Sequence, residues 1–140
     1  MRHDMRLTIP KLKQRLALIE PRVHRRQIEI PPFQYLKLDG PHSEAPLDAD
    51  ASDWPTIQPY DYWGVPQTNF LLRTTFTVPS DWHPSAPIAL FLPLGEAWAF
   101  SHPEALIYID GQPLAGCDRH HQEILLPEPY CDGPPHRLDL

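Results

Sequence analysis

The densest run of chemically capable side chains is Asp118-Arg119-His120-His121-Gln122-Glu123, set between the apolar stretches ALIYI and ILL. Two carboxylates and two imidazoles so close together raise two chemistries: a bound metal, or acid–base work. Zinc needs three or four donors converging at about 2.0–2.3 Å, whereas successive side chains on a strand point to opposite faces. Alternation puts Asp118 and His120 on one face and His121 and Glu123 on the other. Neither pair completes a site. Help would have to come from His83, His102 or Glu104, and the helical spacing HExxH is absent. The block reads as a polar turn-to-strand stretch anchored by hydrogen bonds, with no metal site. Alternation separates Asp118 from His121 unless a bulge after Gly116 re-aims one of them.

A second group is aromatic. Trp54, Tyr60, Tyr62 and Trp63 crowd one loop. Such rings plug the edge of a core or stack on a sugar. Edge packing is the first reading, and Trp54, Tyr62 and Trp63 are the candidate sugar contacts. Other chemistries find no foothold. Eighteen acidic residues single out no glycosidase-type carboxylate pair, and both GxSxG and Gly-rich phosphate loops are missing.

The elements that must carry these residues are short. Nineteen prolines in 140 residues exclude long helices and long central strands. Only LTIPKLKQRLALIEP has helical period: Ile9, Leu12, Leu16 and Ile19 form one stripe, Thr8 is the expected N-cap, and Pro21 ends a helix over about 9–20. Its basic face reads as the solvated side of a docked helix rather than as a membrane anchor. Expected strands are RQIEI, FQYLKL, FLLRTTFTV, IALFL, ALIYI, HQEILL and RLDL. In Phe70–Val78 the alternation puts Phe70, Leu72, Phe76 and Val78 on a buried face and Arg73 on the other. Asp110-Gly111 is a two-residue hairpin turn. Gly40–Tyr62, acidic and proline-rich, reads as a surface connector. Strands joined by turns, with no helices between them, predict an antiparallel β-sandwich of jelly-roll, galactose-binding-like type behind one N-terminal helix.

Length allows one domain with a real core: a basic segment over 1–26 and a sandwich over 27–140. The chain carries a net −6. Met1–Arg26 holds +6, so the rest holds −12, which argues against a nucleic-acid partner. No run is long enough for a membrane span, and the N-terminus lacks the apolar core of a secretory signal. Its arginines suit a transit peptide, but serine is missing from that segment. Cys117 and Cys131 read as reduced thiols, which points to the cytoplasm. RLDL stops in mid-alternation, as a chain cut short at its C-terminus would.

One family resemblance emerges from these motifs. The run from Leu92 to Pro127, with E-A-L-x-Y-x-D-G from Glu104 to Gly111 and G-x-D-x-x-H-x-E from Gly116 to Glu123, resembles the N-terminal region of glycoside hydrolase family 38 α-mannosidases. Trp63-Gly64, then Phe70–Pro79, and the opening Leu7–Glu20 are similar to that family's order of motifs, so the resemblance spans Leu7 to Leu140. Trp98 departs from it, being bulky where a small or polar residue is expected. The resemblance implies a non-catalytic accessory domain of a retaining mannosidase. Zinc and the aspartate nucleophile would belong to a later barrel domain, and no position here matches that domain's His-x-Asp motif. It further implies that Asp118, His121 and Glu123 fix the hairpin's exit and face the catalytic domain. The implied partners are that domain and, through it, a mannoside. Nucleic acid and membrane are not among them, and self-association stays open. A free-standing carbohydrate-binding sandwich is the alternative, and a small metalloprotein built on the polar block is the third.

Overall fold

The computed structural model describes residues 7–58, 61–82, 85–95, 103–131 and 133–140. Tyr60, His83, Trp98 and His102 lie outside them. The chain is mainly β, an antiparallel arrangement of two sheets behind one N-terminal helix, α1 (Thr8–Ile19). The strands are β1 (Gln34–Lys37), β2 (Phe70–Phe76), β3 (Ala89–Phe91), β4 (Ala105–Ile109), β5 (Gln112–Cys117), β6 (Glu123–Leu125) and β7 (His136–Asp139). The larger sheet runs β1-β2-β7-β4-β5, and β3 pairs with β6 in a two-stranded ribbon. All pairings are antiparallel.

Period two explains the core. Leu72 and Phe76 on β2, Leu138 on β7, Ile107 and Ile109 on β4 and Cys117 on β5 meet Leu90 and Ile124 from the ribbon. Ile88, Leu92 and Leu126 extend that apolar side just beyond the ribbon strands. Backbone bonds from Leu92 to Gln122 and from Leu126 to Ile88 prolong the pairing where proline-rich ends forbid longer strands. The Asp110-Gly111 hairpin is present as expected. Both residues have positive φ, 51° and 78°, which is the handedness a two-residue turn needs.

Arg73 corrects the sequence reading. It does point away from Leu72 and Phe76, yet it is buried, as is its neighbour Leu71. The second face of the sheet is covered by the Leu47–Trp54 part of the Gly40–Tyr62 connector, which reads as a plain loop only because its own backbone supplies most of the contacts. Gln34 donates to the Ala51 carbonyl, and Arg73 donates to the Leu47 and Ala49 carbonyls.

Three further expectations change. RQIEI forms no strand; Pro31 and Pro32 remove the next two donors, and the segment instead offers the Pro31 carbonyl to the Thr74 hydroxyl at 2.9 Å. Thr8 is the first helical residue rather than the cap. Leu7 occupies the cap without a side-chain bond. The helix stops at Ile19, and Pro21 sits in a following 3-10 turn over Glu20–Arg22. Finally, α1 is not docked: every residue from Leu7 to Glu29 is exposed.

Candidate functional site

The polar block folds into a four-residue turn at the far end of the β4–β5 hairpin. Asp118 and His121 face each other in an isolated β-bridge, with Asp118 N–H to His121 carbonyl at 3.4 Å and the reverse bond at 3.2 Å. The Asp118 carboxylate then closes the turn from inside. Its Oδ1 accepts the His120 N–H at 2.6 Å and the His121 N–H at 2.8 Å, and lies 3.1 Å from His121 Nδ1. Asp and Asn favour such turns because their short side chains reach backbone donors two residues on. Strand alternation therefore fails here. A turn, not a bulge after Gly116, brings Asp118 and His121 together. The irregularity in the hairpin falls earlier, where Leu114 is the extra residue between the Ile107–Ala115 and Tyr108–Pro113 pairs.

The His120 N–H bond is the largest cause holding the Asp118 carboxyl below the ordinary carboxylate value, and partial burial opposes it. The His121 ring, N–H and charge add to the lowering. Burial, then the neighbouring Asp118 charge, push the Cys117 thiol up. That thiol is a poor nucleophile at neutral pH. Its Sγ donates to the Leu92 carbonyl at 3.6 Å.

Glu123 does not join this turn. It stands on the outer side of the ribbon, where its Oε1 meets His24 Nε2 at 3.1 Å. The three sequence candidates are thus split into one closed pair, Asp118 and His121, and one tether to the N-terminal segment. Beside the pair, Glu104, Ala105, Leu106, Gly116 and Cys117 complete an open groove of about 370 Å³. Among the described residues no group of three His, Cys, Asp or Glu side chains is placed to hold a metal ion.

The aromatic candidates are also divided. Trp63 packs edge-on against Phe70 at 5.5 Å, on the core side of edge strand β1. With Tyr35, Pro55, Thr56, Ile57, Asp61 and Tyr62 it lines a groove of about 190 Å³, and Tyr62 is 91% exposed. Trp54 is not part of it. Its ring lies on the opposite face of the sheet, 5.1 Å from the Arg73 guanidinium. Trp54 therefore does not share a surface with Tyr62 and Trp63.

Sequence reasoning missed two charged sites. Arg73 Nε donates to Asp139 Oδ1 at 2.6 Å, and Asp139 is completely buried. Arg137 Nε lies 2.9 Å from Asp139 Oδ2 as an ion contact, without the geometry of a hydrogen bond. At the hairpin turn, Asp110 Oδ2 lies 2.7 Å from His136 Nδ1, and its Oδ1 accepts the Arg137 N–H at 2.8 Å. Burial alone would raise the Asp110 carboxyl. The bonds to His136 and to the Arg137 N–H, with both charges, bring it below the ordinary value. His136 is buried against Phe76 and Tyr130. The signal available in sequence was the period of RLDL, which puts Arg137 and Asp139 on one face.

Among the described residues no helix is long and apolar enough to cross a membrane. No family model, no curated protein and no solved structure matches this chain.

Proposed function

We propose that the chain is a non-catalytic accessory β-sandwich that supports a larger glycosidase, an α-mannosidase of glycoside hydrolase family 38. The observation that carries this reading is the use made of Asp118. Its carboxylate is spent on the N–H groups and ring of its own turn, which is how a structural residue behaves, while the neighbouring groove stays open. That groove, with the exposed Leu106 at its side, is where the catalytic domain docks. Zinc and the catalytic carboxylates belong to that domain. The cytoplasm is its compartment, a reading supported by the buried Cys117 thiol.

The test is an assay on an aryl α-mannoside. The purified 140-residue chain should give no turnover, with or without added zinc or cobalt. The adjoining reading frame should encode a barrel with a zinc motif whose activity survives, less stably, when residues 1–140 are removed. Zinc-stimulated turnover by the chain itself, or a frame without the barrel, overturns the proposal.

A second reading rests on the Tyr35, Tyr62 and Trp63 groove. The exposed Tyr62 ring and the half-buried Tyr35 and Trp63 rings, beside the Asp61 carboxylate, offer a stacking surface and a hydroxyl acceptor, the two groups a sugar face needs. Under this reading the chain is a carbohydrate-binding module. Titration with methyl α-mannoside should then quench tryptophan fluorescence, and Tyr62→Ala should abolish the response.

A further inference from the structure

A twelve-residue helix has little stability of its own in water, since most helical stability in proteins comes from packing an apolar face. In α1 that face is unused. Ile9, Leu12, Leu16 and Ile19 fall on one stripe, and all four are more than half exposed. Val23, just past the 3-10 turn, is exposed as well.

The same molecule leaves a second apolar surface open. In the β3–β6 ribbon, Phe91 pairs with Glu123 and Ala89 with Leu125, so these four share the side facing away from the core. Phe91 and Leu125 are each about two-thirds exposed. The N-terminal arm is tied to this region. His24 meets Glu123, and Arg26 donates to Asp81 at 2.8 Å. From that anchor the chain carries α1 away from the ribbon, leaving stripe and ribbon face uncovered together.

Charge selects the occupant. Lys11 and Arg15 border the stripe on one side and Lys13 on the other, and Arg22 and Arg25 follow. The first 26 residues hold +6 and the remainder −12. Helix against helix would bring like charges together; helix against the body of another copy brings opposite charges together. A twofold exchange of arms covers both open surfaces of both copies with one repeated contact.

We propose that α1 docks across the β3–β6 face of a second copy of this chain, its apolar stripe over Phe91 and Leu125, in an arm-exchanged dimer. The proposal stands independently of the mannosidase reading.

Light scattering after size exclusion, at about 100 µM chain, tests it directly. The wild type should run at twice the 16.1 kDa of one chain. Leu12→Asp/Leu16→Asp and Phe91→Asp/Leu125→Asp should each run as monomers with unchanged tryptophan fluorescence, because all four positions are exposed. Mixing the two variants should restore some dimer, since one of the two contacts survives in the mixed pair. A wild-type monomer overturns the proposal. So does a dimer that ignores either variant, or one lost in the helix variant alone, which would mean helix-to-helix pairing. Sedimentation with phosphatidylserine–phosphatidylcholine vesicles forms the second arm. Vesicle binding by a chain that stays monomeric would assign the stripe to an anionic membrane instead.

Discussion

Two aspartates in this fold have several partners each, and they differ in almost every other respect. Asp118 holds the N–H groups of His120 and His121 and the His121 ring, all within three residues of itself. Asp139 meets Arg73 across 66 residues of sequence, with Arg137 beside it. The first cluster is open to solvent, His121 being 75% exposed, whereas Asp139 is fully buried. A charge in water has alternatives, so an exposed pair contributes little. A buried charge has none, so its partner decides whether the state is tolerable at all. The residues that stand out in sequence are thus the energetically minor ones, and two unremarkable residues far apart carry the structural weight.

The largest effect should follow from breaking the buried pair. Asp139→Ala leaves the Arg73 guanidinium buried without its carboxylate and should cost about 3–5 kcal/mol in urea unfolding. Arg73→Met combined with Asp139→Leu should recover most of that loss, because neither charge is then buried alone. A single-variant cost below about 1 kcal/mol would show that the connector, not the ion pair, holds Arg73.

A middle effect belongs to Trp54, whose ring covers Arg73 from the connector side. Trp54→Ala should lose about 1–2 kcal/mol and make the Gly40–Tyr62 connector more sensitive to protease. Equal sensitivity in variant and wild type would mean that the bonds Arg73 donates to the Leu47 and Ala49 carbonyls suffice.

The smallest effects should come from the conspicuous turn, and they carry a pH signature. Asp118 and Asp110 both have carboxyls lowered from an ordinary value of 3.8. A lowered folded pKa stabilises above the unfolded value and loses that stabilisation as pH falls through the folded one. Melting should therefore be insensitive to these two groups near neutrality and decline below about pH 4. Asp118→Asn should flatten part of that acid limb. His121→Ala at neutral pH should shift stability by no more than about 0.5 kcal/mol. A large neutral-pH loss for His121→Ala would erase the contrast between the two sites.

How far each site was legible follows from the range of the contacts that build it. The Asp110-Gly111 turn, the apolar period of Phe70–Val78 and the helix over Thr8–Ile19 depend on neighbours within a few residues, so local pattern is enough to find them. The Asp118–His121 pairing is also local, yet strand alternation misplaced it, because the Asx turn that joins the two competes with extended backbone. Trp54 and Trp63, nine residues apart, fall into one group by proximity in sequence. The edge of the sheet passes between them, leaving one against Phe70 and the other against Arg73. RQIEI had strand composition but lacked a partner, and β-propensity counts for little without a neighbouring strand.

The order of residues along the chain specifies a β-rich fold with one amphipathic helix, because hydrophobic period and turn chemistry act through adjacent residues. It also determined the opposition of a basic arm and an acidic body. Long-range packing alone selects which polar faces are buried. It inserted β7 between β2 and β4, so that Asp139 lies beside Arg73, and it laid the Leu47–Trp54 part of the connector over Arg73. It also left the apolar side of α1 uncovered. The reason is that burial is a property of what arrives from elsewhere in the chain. A period of two says that a strand has two sides, and only distant segments determine which of them meets water.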